Sequence, residues 1–210
     1  MRIIECKQGS QEWYNVRRGV ITGTKLEQAF KQSDSLLDTL IAERMVTLLP
    51  ETQKTATMEK GNTLEPFARK EYVRQTDIQG CEVGFILHPE RDDIGLSPDF
   101  IASDFIGAAE FKCPDSKKHI EYMRDKNPPK QYLFQLLAYF LNIPDLDAID
   151  FVSYDELNEV RPLVIKTFEL KDLLNFNYLK GKKVESMAKL EDKVFEFADS
   201  VHEQYNELVF

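Results

Sequence analysis

The sequence has 210 residues, of which 42% are hydrophobic and 30% charged, and its formal net charge is −9. This apolar fraction excludes a disordered or collagen-like chain. No run approaches the roughly 18 apolar residues of a membrane span, and the N-terminal segment lacks the apolar core of a signal peptide, so we expect a cytoplasmic protein with no membrane partner. Three widely spaced cysteines form no CxxC pair, which disfavours a zinc or iron–sulfur site. The acidic balance still permits a local basic groove for nucleic acid, because affinity depends on where the charges lie.

The first third of the chain is predicted to be helical from its capping residues and apolar spacing. The four predicted helices are residues 11–18 after Ser10, residues 25–31 after Thr22 or Thr24, one that starts at Ser33 or Asp34 and stops before Pro50, and one with Leu64, Phe67, Ala68 and Tyr72 on one face. Pro66 suits the fourth helix only in its first turn or at a kink.

The rest of the chain alternates short strands with helices. Strands are predicted at residues 83–88, 94–97, 100–103, 107–113, 148–154 and 162–168, and helices at 116–124, 131–141 and from about 171 to 208. Since the chain has no repeat or flexible linker, we expect one domain over residues 1–210. It would comprise a helical part (1–80), a sheet core (81–168) and a C-terminal helix (169–210). This order indicates an α/β or α+β fold.

The densest chemistry lies in a predicted hairpin that carries Asp99, Glu110 and Lys112. If residues 100–103 and 107–113 pair around a turn near Asp104, Asp99 lies opposite Glu110, with the two Cβ atoms about 5 Å apart. Lys112, two residues beyond Glu110, shares its face of the sheet. Two carboxylates and an ammonium form a hard-oxygen site that suits Mg²⁺ or Mn²⁺ and metal-assisted phosphodiester hydrolysis. Alone, the same residues would also fit a surface hairpin with ordinary charges.

Further segments agree with the hydrolytic interpretation. They are QGSxEW at residues 8–13, RRGVITGT at 17–24, GNTLEP at 61–66, SPD at 97–99, EFKCP at 110–114, YLFQ at 132–135 and FVSYD at 151–155. Together they resemble the PD-(D/E)XK nuclease superfamily and, more narrowly, the phage lambda exonuclease or YqaJ-like viral recombinase family. The resemblance implies a restriction-endonuclease-like core, in which helices flank a central mixed β-sheet, with a helical N-terminal part and a long C-terminal helix.

The resemblance also implies roles for individual residues around the catalytic metal. Asp99 and Glu110 would hold the metal together with the Phe111 carbonyl, and Lys112 would be the catalytic lysine. Glu65, on the helix before the sheet, would approach a second metal or its water.

Other matched positions are implied to bind DNA or flank the active site. Gln135 and Tyr132 would lie on the flanking helix, where the family often has a second glutamine at the position that is Leu137 here. Arg17 and Thr24 would form the pocket for the 5′-terminal phosphate. This last role is also reasonable on physical grounds, because a guanidinium beside a helix N-terminus binds anions.

The leading hypothesis is a Mg²⁺-dependent 5′–3′ exonuclease with two metal ions per active site, Mn²⁺ being an alternative. Family resemblance implies linear double-stranded DNA with a 5′-phosphate as substrate, a ring-shaped homotrimer, a single-strand annealing protein as partner, and a phage or prophage gene expressed in a bacterial host.

Two other functions stay open. One is a RecB-like nuclease of other polarity, because Gln135 and Tyr139 also fit the QxxxY helix of that branch. The other is a catalytically silent DNA-end-binding subunit, against which the intact Asp99, Glu110 and Lys112 argue. A basic cluster is either a solvated face or the lining of a DNA channel; it comprises Lys117, Lys118, Arg124, Lys126 and Lys130.

Overall fold

The structure, a computed structural model, describes residues 2–47, 55–178 and 182–210. Its helices are α1 (Gln11–Arg17), α2 (Leu26–Phe30), α3 (Asp34–Met45), α4 (Ala56–Thr76), α5 (Ser116–Arg124), α6 (Leu133–Asn142), α7 (Leu170–Asn175) and α8 (Met187–Val209). Its strands are β1 (Arg2–Ile4), β2 (Gly80–Cys81), β3 (Phe85–Leu87), β4 (Gly95–Leu96), β5 (Phe100–Ala102), β6 (Gly107–Lys112), β7 (Ala148–Tyr154) and β8 (Leu163–Glu169). A 3₁₀ turn at Lys130–Tyr132 leads directly into α6.

The strands form two sheets, one central and one smaller. The central sheet has the order β2-β5-β6-β7-β8, and β6 pairs parallel with β7 whereas the other neighbours are antiparallel. Parallel neighbours need a crossover connection, and α5, the 3₁₀ turn and α6 supply it. The smaller sheet has the order β1-β3-β4. This architecture confirms the predicted α/β fold with a central mixed sheet flanked by helices.

Helix α6 is the centre of the hydrophobic core. Every side chain of α6 is buried except that of Gln135, which agrees with the apolar run from which the helix was predicted. Helix α8 packs on the same core through Leu190, Val194, Phe197 and Val201, which recur at helical spacing. The burial of α6 fixes the orientation of the few polar groups that it carries.

The structure corrects side-chain details of α4 and α2. Pro66 lies in the middle of α4, which excludes the first turn of the two positions predicted for it, and Phe67 is 58% exposed rather than part of the apolar face. The buried row Leu64, Ala68 and Tyr72 holds the helix against the sheet, so the hydrogen bond that proline cannot donate does not end it. Helix α2 begins after Lys25 without a side-chain cap, so neither predicted threonine caps it.

The C-terminal segment is two helices rather than the predicted one. Helix α7 begins with a capping box between Glu169 and Asp172, and α8 has its own N-cap in Ser186, which accepts a hydrogen bond from the Lys189 amide. These capping groups favour new helix starts over continuation. Strands β1 and β2, each three residues or shorter, were also not predicted. Helix α3 ends at Met45, with Val46 as its C-cap, and so stops before Pro50 as predicted.

Within the three described ranges, no helix combines the length and hydrophobicity that a bilayer span requires.

A buried carboxylate, Asp93, ties three parts of the fold together. Arg91 donates to its two oxygens at 3.0 and 2.9 Å, His202 of α8 lies 3.0 Å away, and Arg44 of α3 lies 3.9 Å away. Burial alone would raise the pKa of Asp93, but the hydrogen bonds and charge of Arg91 hold it below its usual value. The ionised carboxylate therefore stabilises the folded state.

We expect Asp93→Asn to lower the free energy of unfolding by about 1.5–3 kcal/mol at pH 7, measured by urea denaturation. The contribution of Asp93 is complete above the unfolded pKa of about 3.9 and is lost as pH falls through the lower folded pKa. The difference between wild type and variant should therefore shrink under acid. Asp92→Asn is the matched control, because the Asp92 side chain is 80% exposed and forms a surface ion pair with Arg2. Equal losses for the two variants would contradict the role of Asp93.

Candidate active site

A hairpin places the two predicted metal-binding carboxylates side by side. Strands β5 and β6 pair with Phe100 opposite Ala109 and Ile101 opposite Ala108. Continued by one residue, this register puts Asp99 opposite Glu110, as the symmetric hairpin predicted. The Phe111 amide donates to Asp99 Oδ2 at 2.8 Å, which holds the aspartate at the end of the strand.

The Glu110 carboxylate is fully buried and surrounded by donors. Gln135 Nε2 donates to Oε1 at 2.5 Å, the Tyr139 hydroxyl donates to Oε2 at 2.7 Å, and Lys112 Nζ forms an ion pair with Oε1. Gln135 and Tyr139 are four residues apart on α6 and so project from the same face. A buried carboxylate needs such partners, because an unpaired buried charge is very costly.

Tyr139 is a site residue that the leading sequence interpretation did not include. Its hydroxyl also accepts the Asp99 amide at 3.2 Å, so it bridges the two carboxylate positions. Burial raises the pKa of Tyr139 well above its usual value, which keeps the hydroxyl protonated as a donor. The sequence signal was the four-residue spacing from Gln135. Leu137, where the family often has a second glutamine, is fully buried in the core.

Lys112 is held by one charged and one aromatic neighbour. Its Nζ contacts Glu110 and lies 4.9 Å from the centroid of the Tyr132 ring. Burial would lower the pKa of Lys112, but the Glu110 and Asp99 carboxylates raise it above its usual value. Lys112 is therefore an ammonium at neutral pH. Tyr132 stacks on Phe151, which fixes the ring beside the lysine.

Burial and neighbouring negative charge raise the pKa of two further carboxylates. Burial raises the pKa of Asp99 well above its usual value, and Glu110 adds to that effect. Burial also raises the pKa of Glu65, whose carboxylate feels the charges of Lys112 and Glu110. A cation among these groups would relieve their repulsion. The structure thus brings Glu65, Asp99, Glu110 and Lys112 into one electrostatic cluster.

The donor set suits a hard divalent cation. In the part of the chain that the structure describes, no three acidic, histidine or cysteine side chains already converge as a complete metal cage. Mg²⁺ does not require one, because it is usually bound by one or two carboxylates together with water and substrate phosphates. Asp99 and Glu110 are the two carboxylates predicted for that role. The metal-ligand role of the Phe111 carbonyl stays a prediction.

A cleft of about 630 Å³ adjoins this cluster and contains the predicted phosphate pocket. Arg17, Thr24 and Glu65 all line it, so Glu65 links the cleft to the carboxylates. Arg17 Nη1 donates to Ser97 Oγ at 2.6 Å, and its guanidinium lies 4.1 Å from the centroid of the Trp13 ring. Burial lowers the pKa of Arg17 to about 10, which leaves the guanidinium charged at neutral pH.

Ser97 is the second residue that sequence reasoning missed as part of the site. Its hydroxyl accepts from Arg17 and also from Trp13 Nε1 at 2.8 Å. The Trp13 indole therefore orients the Ser97 hydroxyl that accepts the hydrogen bond from Arg17. Ser97 lies two residues before Asp99, so the predicted phosphate pocket and the carboxylate cluster share one short segment. The SPD motif contained this signal, although only its aspartate was assigned a role.

A mixed sheet whose central β5–β6 hairpin carries two carboxylates and a lysine is typical of a metal-dependent nuclease. The chain belongs to the YqaJ-like viral recombinase family, whose domain matches residues 12–141, more than half of the sequence. No protein with a curated functional description matches the chain.

Solved structures extend the likeness to nearly the whole chain. An alkaline exonuclease from Laribacter hongkongensis, LHK-Exo, is 27% identical with a TM-score of 0.80, covering 95% of this chain and 96% of that one. Its complex with dAMP gives 26% identity and a TM-score of 0.78, with the same coverage. A phage-related exonuclease from Haemophilus somnus 129PT shares the fold at 14% identity, with a TM-score of 0.58 over 90% and 95% of the two chains. Family and full-length likeness identify the chain as a nuclease, a class that generally depends on divalent metal ions.

Proposed function

We propose that the chain is a Mg²⁺-dependent 5′–3′ exonuclease that degrades one strand of linear double-stranded DNA to mononucleotides. The observation that carries this proposal is the hydrogen bond from Arg17, which lines the cleft, to Ser97, which lies two residues before Asp99. A pocket for a terminal phosphate beside a hydrolytic centre would position the first internucleotide bond for cleavage. The complex of the related LHK-Exo with dAMP, a mononucleotide, supports this product size.

Asp99, Glu110 and the Phe111 carbonyl would hold one Mg²⁺, and Glu65 would hold a second ion or its water. When bound, the metal would lower the pKa of a coordinated water and neutralise charge on the phosphate. The oxygen-only donors would also accept Mn²⁺. Two ions per active site is our proposal for this cluster of three carboxylates.

The chain's own residues would then divide the remaining tasks. Lys112, kept protonated by its acidic neighbours, would stabilise the negative charge that develops on the scissile phosphate. Gln135 and Tyr139 would hold the Glu110 carboxylate in one orientation through their hydrogen bonds. Arg17 would bind the terminal phosphate through paired hydrogen bonds, and Thr24 would contribute a polar group from the same cleft.

This polarity would leave a 3′ single strand for annealing-type recombination. Membership of a viral recombinase family supports that use and a phage or prophage origin, in a bacterial cytoplasm. We further propose that a homotrimeric ring encloses the duplex and that a single-strand annealing protein receives the exposed strand. In such a ring the basic residues near α5 would face inward, while the net negative charge of the chain would lie outside.

The test is a time course on linear duplex DNA with Mg²⁺, using one substrate labelled at its 5′ ends and another at its 3′ ends. We expect early release of 5′ mononucleotides while the 3′ label survives, and no release in EDTA. Loss of both labels at equal rates, or cleavage of closed circles, would favour a RecB-like nuclease of other polarity. Tight end binding without cleavage would favour a silent DNA-end-binding subunit.

A further inference from the structure

A second, smaller pocket lies beside the active site, next to the edge strand β8. It has a volume of about 190 Å³, and its lining includes Lys118, Lys130 and Lys166, which we call the lysine pocket. Lys118 and Lys130 belong to the basic cluster for which the sequence left two interpretations open. Lys166, on β8, was outside that cluster in the sequence and is brought to it by the fold.

Lys166 is a buried ammonium without an acceptor. Its Nζ is inaccessible to solvent and has no hydrogen-bond partner among the described residues. The nearest aromatic group is Tyr122, whose ring centroid lies 6.0 Å away. Burial lowers the pKa of Lys166 from its usual value, as expected for a desolvated ammonium that lacks compensation. A bound anion would supply the missing acceptor.

The acidic residues of the pocket are already engaged. Glu121 pairs with Lys118 at 2.8 Å, and Asp125 Oδ1 accepts both the amide and the side-chain nitrogen of Asn127 at 2.9 Å. The charge of Asp125 raises the pKa of Lys166 and so opposes the effect of burial, but the two side chains form no ion pair among the described residues. Lys130 is exposed at the rim, also without an ion pair there. The pocket is therefore left with uncompensated positive charge.

The sheet register fixes where this pocket lies relative to the carboxylates. Glu110 of β6 is opposite Phe151 of β7, which is opposite Lys166 of β8. Neighbouring strands are about 4.8 Å apart, so Lys166 lies about 10 Å from Glu110 on the same sheet face. Aromatic rings fill the space between them, because Tyr132 and Tyr122 both pack on Phe151. The Ser97 segment, by contrast, leads into β5 on the other flank of β6.

We infer that the lysine pocket binds a backbone phosphate of the DNA strand whose 5′ end occupies the Arg17–Ser97 pocket, an inference that rests on the proposed function. A DNA strand carries one phosphate per about 3.4 Å of helix axis, so a site about 10 Å away falls within roughly three nucleotides of the bond that is cut. Anchoring the strand on both flanks of Glu110 would hold the scissile phosphate between two fixed points.

The first test is the salt dependence of DNA binding in EDTA, where no cleavage occurs. Lys166→Met keeps the aliphatic stem and removes the charge, and Lys183→Met, at an exposed position on another part of the chain, is the matched control. We expect Lys166→Met to flatten the plot of log affinity against log salt by about 0.7–0.9, the loss of one phosphate contact. An unchanged slope in a folded variant would overturn the inference. Thermal unfolding of both variants checks the fold.

The second test locates the contact along the strand. A series of duplexes carries one neutral methylphosphonate linkage at successive positions from the 5′ end. One linkage within roughly three nucleotides of the end should weaken binding to wild type but not weaken binding to Lys166→Met any further. An additive effect at every position would contradict a direct contact.

Free inorganic phosphate is the other anion that could occupy the lysine pocket. The thermal stability of Arg17→Met and of the double variant Arg17→Met/Lys166→Met is measured with and without inorganic phosphate. If phosphate stabilises only the single variant, and Lys166→Met leaves the salt slope of DNA binding unchanged, the pocket binds free oxyanions. The assignment to the DNA strand is then wrong. These binding measurements do not depend on cleavage or its direction. A failure of the labelled-end assay therefore refutes the proposed function, and an unchanged slope beside normal 5′–3′ cleavage refutes the lysine pocket.

Discussion

Lys112→Met is expected to lower the rate of DNA cleavage by at least about 100-fold to 1,000-fold, the range for removing one electrostatic donor from a transition state. Lys112 is the cation in contact with Glu110, and its neighbours keep it protonated. The rate is measured as release of mononucleotides from linear duplex DNA at saturating Mg²⁺. Lys183→Met, outside the site, should retain the wild-type rate.

The same substitution also removes the counter-charge of a fully buried carboxylate. Breaking such a pair costs about 3–5 kcal/mol in the free energy of unfolding, so part of any lost activity could be lost protein. The rate of Lys112→Met is therefore expressed per folded molecule. The double variant Lys112→Met/Glu110→Gln tests the stability effect, because the neutral amide needs no cation. We expect it to recover most of the stability by urea denaturation and none of the activity. Recovery of cleavage in a folded double variant would exclude Lys112 from the chemistry.

Arg17→Met is expected to reduce cleavage from 5′-phosphorylated ends by about 10-fold to 100-fold and to have little effect on 5′-hydroxyl ends. A hydrogen bond to a charged group is worth about 1.5–3 kcal/mol, and each 1.4 kcal/mol is a factor of about ten. Without Arg17, Ser97 keeps its bond to Trp13, so the local structure should persist. Initial rates on duplexes that differ only in the 5′ group provide the measurement.

Arg18→Met is the matched control for Arg17→Met. Arg18 is the next residue, but its guanidinium donates to the Val46 and Thr47 carbonyls at 3.1 and 2.7 Å. Its loss should leave the preference for a phosphorylated end unchanged. If Arg17→Met lowers the rates on both kinds of end equally, the guanidinium does not bind the terminal phosphate.

The β5–β6 hairpin could be predicted because its geometry depends on local rules. Alternation along a strand places Glu110 and Lys112 on one face, and a symmetric turn sets Asp99 opposite Glu110. The strand at residues 148–154 and the helix at 116–124 were predicted with the bounds that the structure has. Their ends coincide with clear changes in composition.

Other features depend on tertiary contacts that a local pattern does not contain. Tyr139 became a site residue only because α6 crosses the end of the hairpin, and Ser97 only because α1 places Arg17 and Trp13 against it. Pro66 remains inside α4 because packing on the sheet holds that helix. The burial of Lys166 could not be predicted from the sequence either, because it follows from the position of β8 beside α5 at the sheet edge.

The hydrogen bonds of the Glu110 site join residues that are synthesised at different times. Gln135 and Tyr139 reach Glu110 from 25 and 29 residues further along the chain, and Arg17 reaches Ser97 across 80 residues. Contacts between residues far apart in the sequence cost loop-closure entropy and need both segments to be present. A chain emerging from the ribosome thus carries its carboxylates before it has the groups that orient them. A nascent chain that has not yet reached α6 therefore lacks Gln135 and Tyr139, and we expect it not to cleave DNA.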